Sequence, residues 1–445
     1  MSLLQKDMLL ESGVAARFYQ NAAPKNKIAR ISRTVMGDIA KNTPYANLAA
    51  LWMRHPYLQG LLRRAGVQEV FVGGEGSDLE KLRALCAVMP GLVSNAAKLQ
   101  CHAELQLLFD TPLTLCEVHA DEIWQKTAAH FAQGELTPRL MLQKCGVQAL
   151  LVAAAPADDL ADFTAALTGD GMRFSPVFCP DHLLLVGDKC FAAAVRALDG
   201  DITDLASLTA ALSAALDRFA AHGCALAAHS VLPTAFCRPN EYHADLYFKK
   251  ALAGEALTAQ EQALLTAQLW RILCKEYTQR QMPLELRTGG AAVLEDMPSN
   301  ACTFTDFAAL DALFAYLQSY RVLPRIALYL ATPTEAPEAA RLAAQYPALA
   351  EGKPQMQLGI VTGSPSQTRD RLLALANVTP LAGTLGGVSD ARLYTSPTDA
   401  DLFCRMLCAL LADLREQGEL DVPDDRVYRL VTRVCGGNLS DFLQL

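Results

Sequence analysis

From residue 147 onward short apolar runs alternate with long amphipathic stretches, and this rhythm constrains the fold more than any other feature of the chain. The runs are Val147–Ala153, Phe174–Phe178, Cys224–His229, Leu284–Arg287, Arg325–Leu330, Met356–Val361 and Leu381–Gly386. Between them, segments such as Leu205–Ala221, Ala259–Arg280, Phe304–Tyr320 and Thr334–Tyr346 repeat their apolar residues at helical spacing. Apolar runs this short read as buried strands, and strands separated by helices build parallel βαβ units. Lys27–Ser32 adds an eighth run near the start. The region 37–146 is helical in pattern, with apolar spacing over Ala46–Ala65 and Asp78–Val88, acids opening a helix at Asp121-Glu122, and a Thr137-Pro138 helix start. Eight strands with a helical lobe inserted after the first predict an α/β fold, a (β/α)8 TIM barrel. Periodicity does not report closure, so an open doubly wound sheet is the alternative. The expected division is 1–36 for an N-terminal helix and first strand, 37–146 for the lobe, 147–401 for the rest of the barrel and 402–445 for closing helices.

Composition narrows the function classes. The chain has 445 residues, 51% hydrophobic and 19% charged, enough to bury a large core and unlike a disordered chain. Its 39 basic and 47 acidic residues give a net charge of −8, with nothing to suggest a nucleic-acid partner. No segment offers about 20 uninterrupted apolar residues, so no membrane span is expected. The 13 cysteines are scattered and include no Cys-x-x-Cys, as expected of reduced thiols in a cytoplasmic protein. A homo-oligomer is compatible with this composition and not specified by it.

In a closed parallel barrel, chemistry gathers at the carboxyl ends of the strands. That directs attention to Ile31-Ser32-Arg33 after strand one, Ala228-His229-Ser230 at strand four, Glu285-Leu286-Arg287 at strand five and Ser389-Asp390-Ala391-Arg392 after strand eight.

Ordered stretches carry a family likeness. Asn47-Leu48-Ala49-Ala50-Leu51-Trp52 resembles the Asn-Leu-Thr-Glu-Leu-Trp of uronate isomerases, and Gly76-Ser77-Asp78-Leu79-Glu80-Lys81 resembles their Ala-Ser-Asp-Arg-Glu-Lys. Ala120-Asp121-Glu122-Ile123-Trp124, Thr137-Pro138-Arg139, His222-Gly223-Cys224 and Lys250 to Leu257 follow in the family's order. The resemblance spans nearly the whole chain, from about residue 12, and implies the barrel of the amidohydrolase superfamily. It also implies an aldose–ketose isomerisation of hexuronates, glucuronate to fructuronate and galacturonate to tagaturonate, with a divalent metal such as zinc as cofactor.

The implied site departs from the family pattern. The family's His-x-His after strand one is Ile31 and Arg33 around Ser32. Isoleucine cannot ligate a metal, and arginine stays protonated. The family's Thr-Asp-Ser-Arg after strand eight is Ser389-Asp390-Ala391-Arg392, which leaves Asp390 as base or metal ligand and Arg392 as a clamp for the substrate carboxylate. His229 matches the histidine of Asp-His-Gly and is a candidate catalytic group, or a hydrogen-bonded histidine of the barrel. Glu285 stands where Gln-Leu-His has its histidine and is a candidate substrate contact. The arginine of Phe-Arg-Pro-Asp is Cys179, the Asp-Asp-Pro after strand two is Ala154-Ala155-Pro156, and the paired tryptophans after strand seven are missing. Three functions remain: a hexuronate isomerase with a rebuilt site, a non-catalytic homologue that binds a sugar acid or takes part in an assembly, and a hydrolase of another substrate. The last normally needs a metal-activated water and ranks below the others.

Overall fold

Eight parallel strands follow one another in sequence order around a single sheet. They are β1 Lys27–Arg30, β2 Val147–Ala154, β3 Arg173–Phe178, β4 Ala227–His229, β5 Leu284–Arg287, β6 Ile326–Leu330, β7 Met356–Val361 and β8 Gly387–Val388. The computed structural model describes residues 8–25, 27–31, 33–132, 134, 136–166, 171–298, 305–346 and 354–444. Each strand pairs in parallel with the next. Residues of β1 and β8 line one cavity of about 50 Å³, which lies along the seam of a nearly closed barrel.

The helix-separated strands thus form the expected barrel, with one displacement. Leu381–Gly383 is a helical turn rather than a strand, and the last strand is only Gly387–Val388. Pro380 starts that turn and extended Thr384 ends it, and Gly386 takes a left-handed conformation (φ 76°) just before the last strand. A side chain at Gly386 would strike the Val434 carbonyl. The first strand ends at Arg30, and Ser32 lies outside the described residues. The fourth starts at Ala227, three residues later than the apolar run.

Among the described residues, seven α-helices lie between β1 and β2. Their starts are written locally. Ser77 and Glu80 form a reciprocal capping box for Asp78–Val88, and Thr137 caps Pro138–Lys144 with proline in the first turn. Each such cap contributes about 1 kcal/mol. The Ala46–Ala65 stretch breaks into Leu48–Trp52 and Pro56–Arg64, because Pro56 has no N–H to continue a helix and His55 caps the second one. The lobe does not fold around a core of its own. Its Trp52, Leu58 and Leu85 belong to the same buried cluster as Leu286, Leu328 and Ile360 of the strands.

Two polar ties fasten the chain's ends to the barrel. Lys27 of β1 meets Asp401 at 3.1 Å, and Arg405 meets the same carboxylate at 2.6 Å, which anchors the helix Asp399–Glu416 against the first strand. In the lobe, Glu104 accepts hydrogen bonds from Trp52 Nε1 (2.6 Å), Tyr394 Oη (2.8 Å) and Ser396 Oγ (2.6 Å), the last two from the segment after β8. No helix among the described residues is long and apolar enough to cross a membrane.

Candidate functional site at the barrel mouth

Side chains alternate across a strand, so Glu285 and Arg287 of β5 share one face. The register sets Glu285 beside Ala228 and Ala327, and Arg287 beside Tyr329. Glu285 is fully buried. One carboxylate oxygen accepts from Arg287 Nε at 2.8 Å, and the other forms an ion pair with Arg30 at the end of β1. Arg287 also donates to the carbonyls of Ala292 and Ser389, both at 2.7 Å. Arg30 lies over the ring of buried Tyr329, 5.9 Å from its centroid. Gly359 of β7 passes so close to that ring that any side chain there would collide with it. Arg30, Arg287, Ile31, Leu151, Ala153 and Val177 border a cavity of only about 20 Å³, room for roughly one water.

His229 is elsewhere. It neighbours Leu286 on the opposite face of the sheet and packs on the helix Ala259–Gln279, 4.5 Å from the Trp270 ring. Nδ1 meets Asp181 at 3.0 Å and Nε2 meets Tyr277 Oη at 3.0 Å. Ser230 completes the group by donating its N–H (2.8 Å) and hydroxyl (2.6 Å) to Asp181. Burial alone would raise the Asp181 pKa, but the hydrogen bond and charge of His229, with the two Ser230 donors, outweigh it and hold the carboxyl below its ordinary value. All of these side chains are buried. The structure therefore brings Glu285 to the mouth and turns His229 away from it, into the helical layer.

Asp390 and Arg392 lie at the rim, partly buried. Arg392 donates its backbone N–H to Asp390 at 2.9 Å and its guanidinium to the other carboxylate oxygen at 3.0 Å, and it also reaches the Gly290 carbonyl. Each of these residues thus already holds the other. Arg33 turns outward to the segment after β2, where it meets Asp162 at 3.5 Å, the Asp159 carbonyl at 2.7 Å and the face of Phe163. Ile31 is buried and also borders a cavity of about 50 Å³ under the lobe, with Tyr45, Arg54, His55 and Glu104.

The sequence reading missed Arg30, Arg287 and Asp181 as members of these clusters. The two-residue spacing of Glu285 and Arg287 was a usable signal. Nothing local announced Arg30 or Asp181, whose partners lie on other strands.

The glucuronate isomerase family profile matches residues 1–443. The chain belongs to that family. It is 25% identical to a uronate isomerase of Clostridium perfringens (strain 13 / Type A) and 26% identical to one of Yersinia enterocolitica serotype O:8, each time over 99% of both chains. The crystal structure of a uronate isomerase from Thermotoga maritima superposes with a TM-score of 0.83 at 23% identity, covering 99% of both chains, and that likeness bears on the fold.

As a glucuronate isomerase family member the chain would be expected to hold a divalent metal at the strand ends, and the residues present do not fit one. The strand-one positions carry an aliphatic side chain and a guanidinium. Both oxygens of Glu285 are engaged by arginines, so an added cation would face two fixed positive charges. Among the described residues, no group of three or more His, Cys, Asp or Glu side chains is arranged to hold an ion.

Proposed function

We propose that this member of the glucuronate isomerase family keeps the isomerase scaffold without the family's metal-assisted reaction, and acts as a non-catalytic homologue in binding or assembly. The observation that carries this reading is the Arg30–Glu285–Arg287 cluster across the barrel mouth. Interconversion of an aldose and a ketose needs a base that moves a proton between adjacent carbons while the carbonyl is polarised. Glu285 lies between two guanidiniums, Asp390 is held by Arg392, and the imidazole of His229 faces the helical layer. The cavities described around the mouth, about 20 to 50 Å³ each, also fall far below the roughly 300–1,000 Å³ of ligand pockets. The described cysteines are all free, which suits a reducing compartment such as the cytoplasm.

A second reading rests on Asp390 and Arg392, which remain partly open at the rim after β8. In it the chain is an active hexuronate isomerase of uronate catabolism, with Asp390 as base and Arg392 as carboxylate clamp, after the rim pair opens to admit substrate. One experiment separates the two: incubation of the purified protein with glucuronate and with galacturonate, with and without added zinc or manganese, and with metal content measured on the same sample. The first reading expects no ketose product in any arm. Turnover abolished by Asp390→Asn would establish the second instead.

A further inference from the structure

The roomiest of the cavities described lies on the outside of the barrel, away from the mouth. It is a groove of about 640 Å³ among the helices Leu205–Ala221, Glu241–Leu252 and Ala259–Gln279, closed at one end by Tyr320-Arg321-Val322. That volume is in the range of small-molecule sites. Its lining is built rather than incidental. Arg271 donates to Gln268, itself buried, at 3.2 Å, and also pairs with Glu241. Its guanidinium lies over the Tyr320 ring, 5.3 Å from the centroid. Tyr320 is backed by Tyr316, and Tyr316 by Phe236. Lys275 follows Arg271 by one helical turn and so shares its face. Arg321 is next to Tyr320 and adopts a left-handed backbone (φ 57°), at a helix end where glycine is the usual occupant. Both Lys275 and Arg321 are exposed, and among the described residues neither meets a carboxylate. The two acids of the groove are committed, Glu241 to Arg271 and Asp245 to Lys249 at 2.7 Å. On a chain of net charge −8 the groove therefore concentrates unspent positive charge against a tyrosine ring.

We propose that this groove binds a small polyanion, a phosphate ester or a di- or tricarboxylate, with Lys275 and Arg321 taking its charge and the Arg271–Tyr320 stack forming one wall. Oxyanions gain charge-assisted hydrogen bonds from lysine and arginine, and a preordered guanidinium loses little freedom in making them. The site is independent of the barrel mouth, so it can operate whether or not the isomerase reaction is retained. Because the groove is open, the affinity should fall as chloride is raised.

The test is calorimetric titration of the full chain with inorganic phosphate and, separately, citrate, with molecular mass followed by light scattering. Saturable binding of at least one anion is expected, and the stronger of the two assigns the ligand to phosphate or carboxylate chemistry. The double variant Lys275→Gln/Arg321→Gln should weaken binding at least about tenfold, equivalent to about 1.4 kcal/mol. A charge-matched control in the lobe, Arg83→Gln/Lys126→Gln, should leave it unchanged. Arg321→Gly adds a distinguishing readout, since glycine suits the left-handed turn: it should raise the melting temperature of the free protein while weakening the anion. No saturable binding of either anion, equal binding by the double variant, or binding seen only together with a doubling of mass would overturn the proposal, the last by making a second copy the occupant.

Discussion

At the barrel mouth the buried carboxylate Glu285 lies between two guanidiniums, whereas at the seam with the lobe Glu104 is buried and Asp399 half-buried among neutral donors. Asp399 accepts from Gln100 (2.7 Å) and Ser389 (3.0 Å), and Glu104 from Trp52, Tyr394 and Ser396. At the seam the oxygens are met by hydrogen bonds, whereas at the mouth one Glu285 oxygen accepts from Arg287 and the other is met by ion pairing with Arg30 alone, and only the mouth balances charge. Burial pushes the Asp399 pKa up to about 7, with nearby Glu104 adding to the rise, and burial likewise raises Glu104. Asp181, as deeply buried as Glu104, shows the other outcome, where an imidazole and two donors outweigh burial. The difference teaches that the protonation of a buried acid here follows its partner's charge more than its depth.

The largest expected effect comes from breaking the mouth. Glu285→Gln leaves buried Arg287 and mostly buried Arg30 without a counter-charge and should cost about 3–5 kcal/mol in urea unfolding. Replacing all three residues with methionine or leucine should recover most of that loss. A triple variant as unstable as the single one would show that the cluster contributes more than mutual neutralisation.

The seam predicts a pH effect of the next size. The folded-state pKa of Asp399 is raised, so the folded chain binds this proton more tightly than the unfolded chain does. The stability it confers is full below about pH 4, declines as pH rises toward 7 and is lost above that. Between about pH 5 and pH 8 the wild type should lose about 2–3 kcal/mol from this group, and Asp399→Asn should flatten that slope. Asp181 has the opposite sign: its lowered pKa contributes stability above the unfolded value, and that contribution is lost as pH falls through the folded one. An unchanged slope in Asp399→Asn would erase the contrast drawn between mouth and seam.

The rim should respond least. Arg392→Gln removes a partly exposed pair and should change stability by under about 1 kcal/mol. A loss as large as that of Glu285→Gln would make the rim pair part of the mouth's electrostatic cluster rather than a solvated edge.

Much of the fold was legible because its signals are local. Apolar runs of strand length, acids opening a helix at Asp121-Glu122, and proline after Thr137 each act within a few residues. The last strand was misplaced because two strand residues beside glycine carry almost no pattern. The candidate site was less legible. Glu285 was marked by its strand end, yet whether an arginine from β1 would reach it depends on barrel closure. His229 was marked in the same way, and strand parity alone sends it to the opposite face.

By itself the sequence determined the alternating elements, the family likeness and the absence of imidazole at positions 31 and 33, because these depend on residue type and short-range spacing. Only the tertiary structure decided that Arg30 meets Glu285, that Asp181 meets His229 and that Asp399 is half-buried with no positive partner among the described residues. Those pairings join segments far apart in the chain. Their electrostatics follow from distance and burial, which the chain acquires only when the barrel closes and the lobe packs against it.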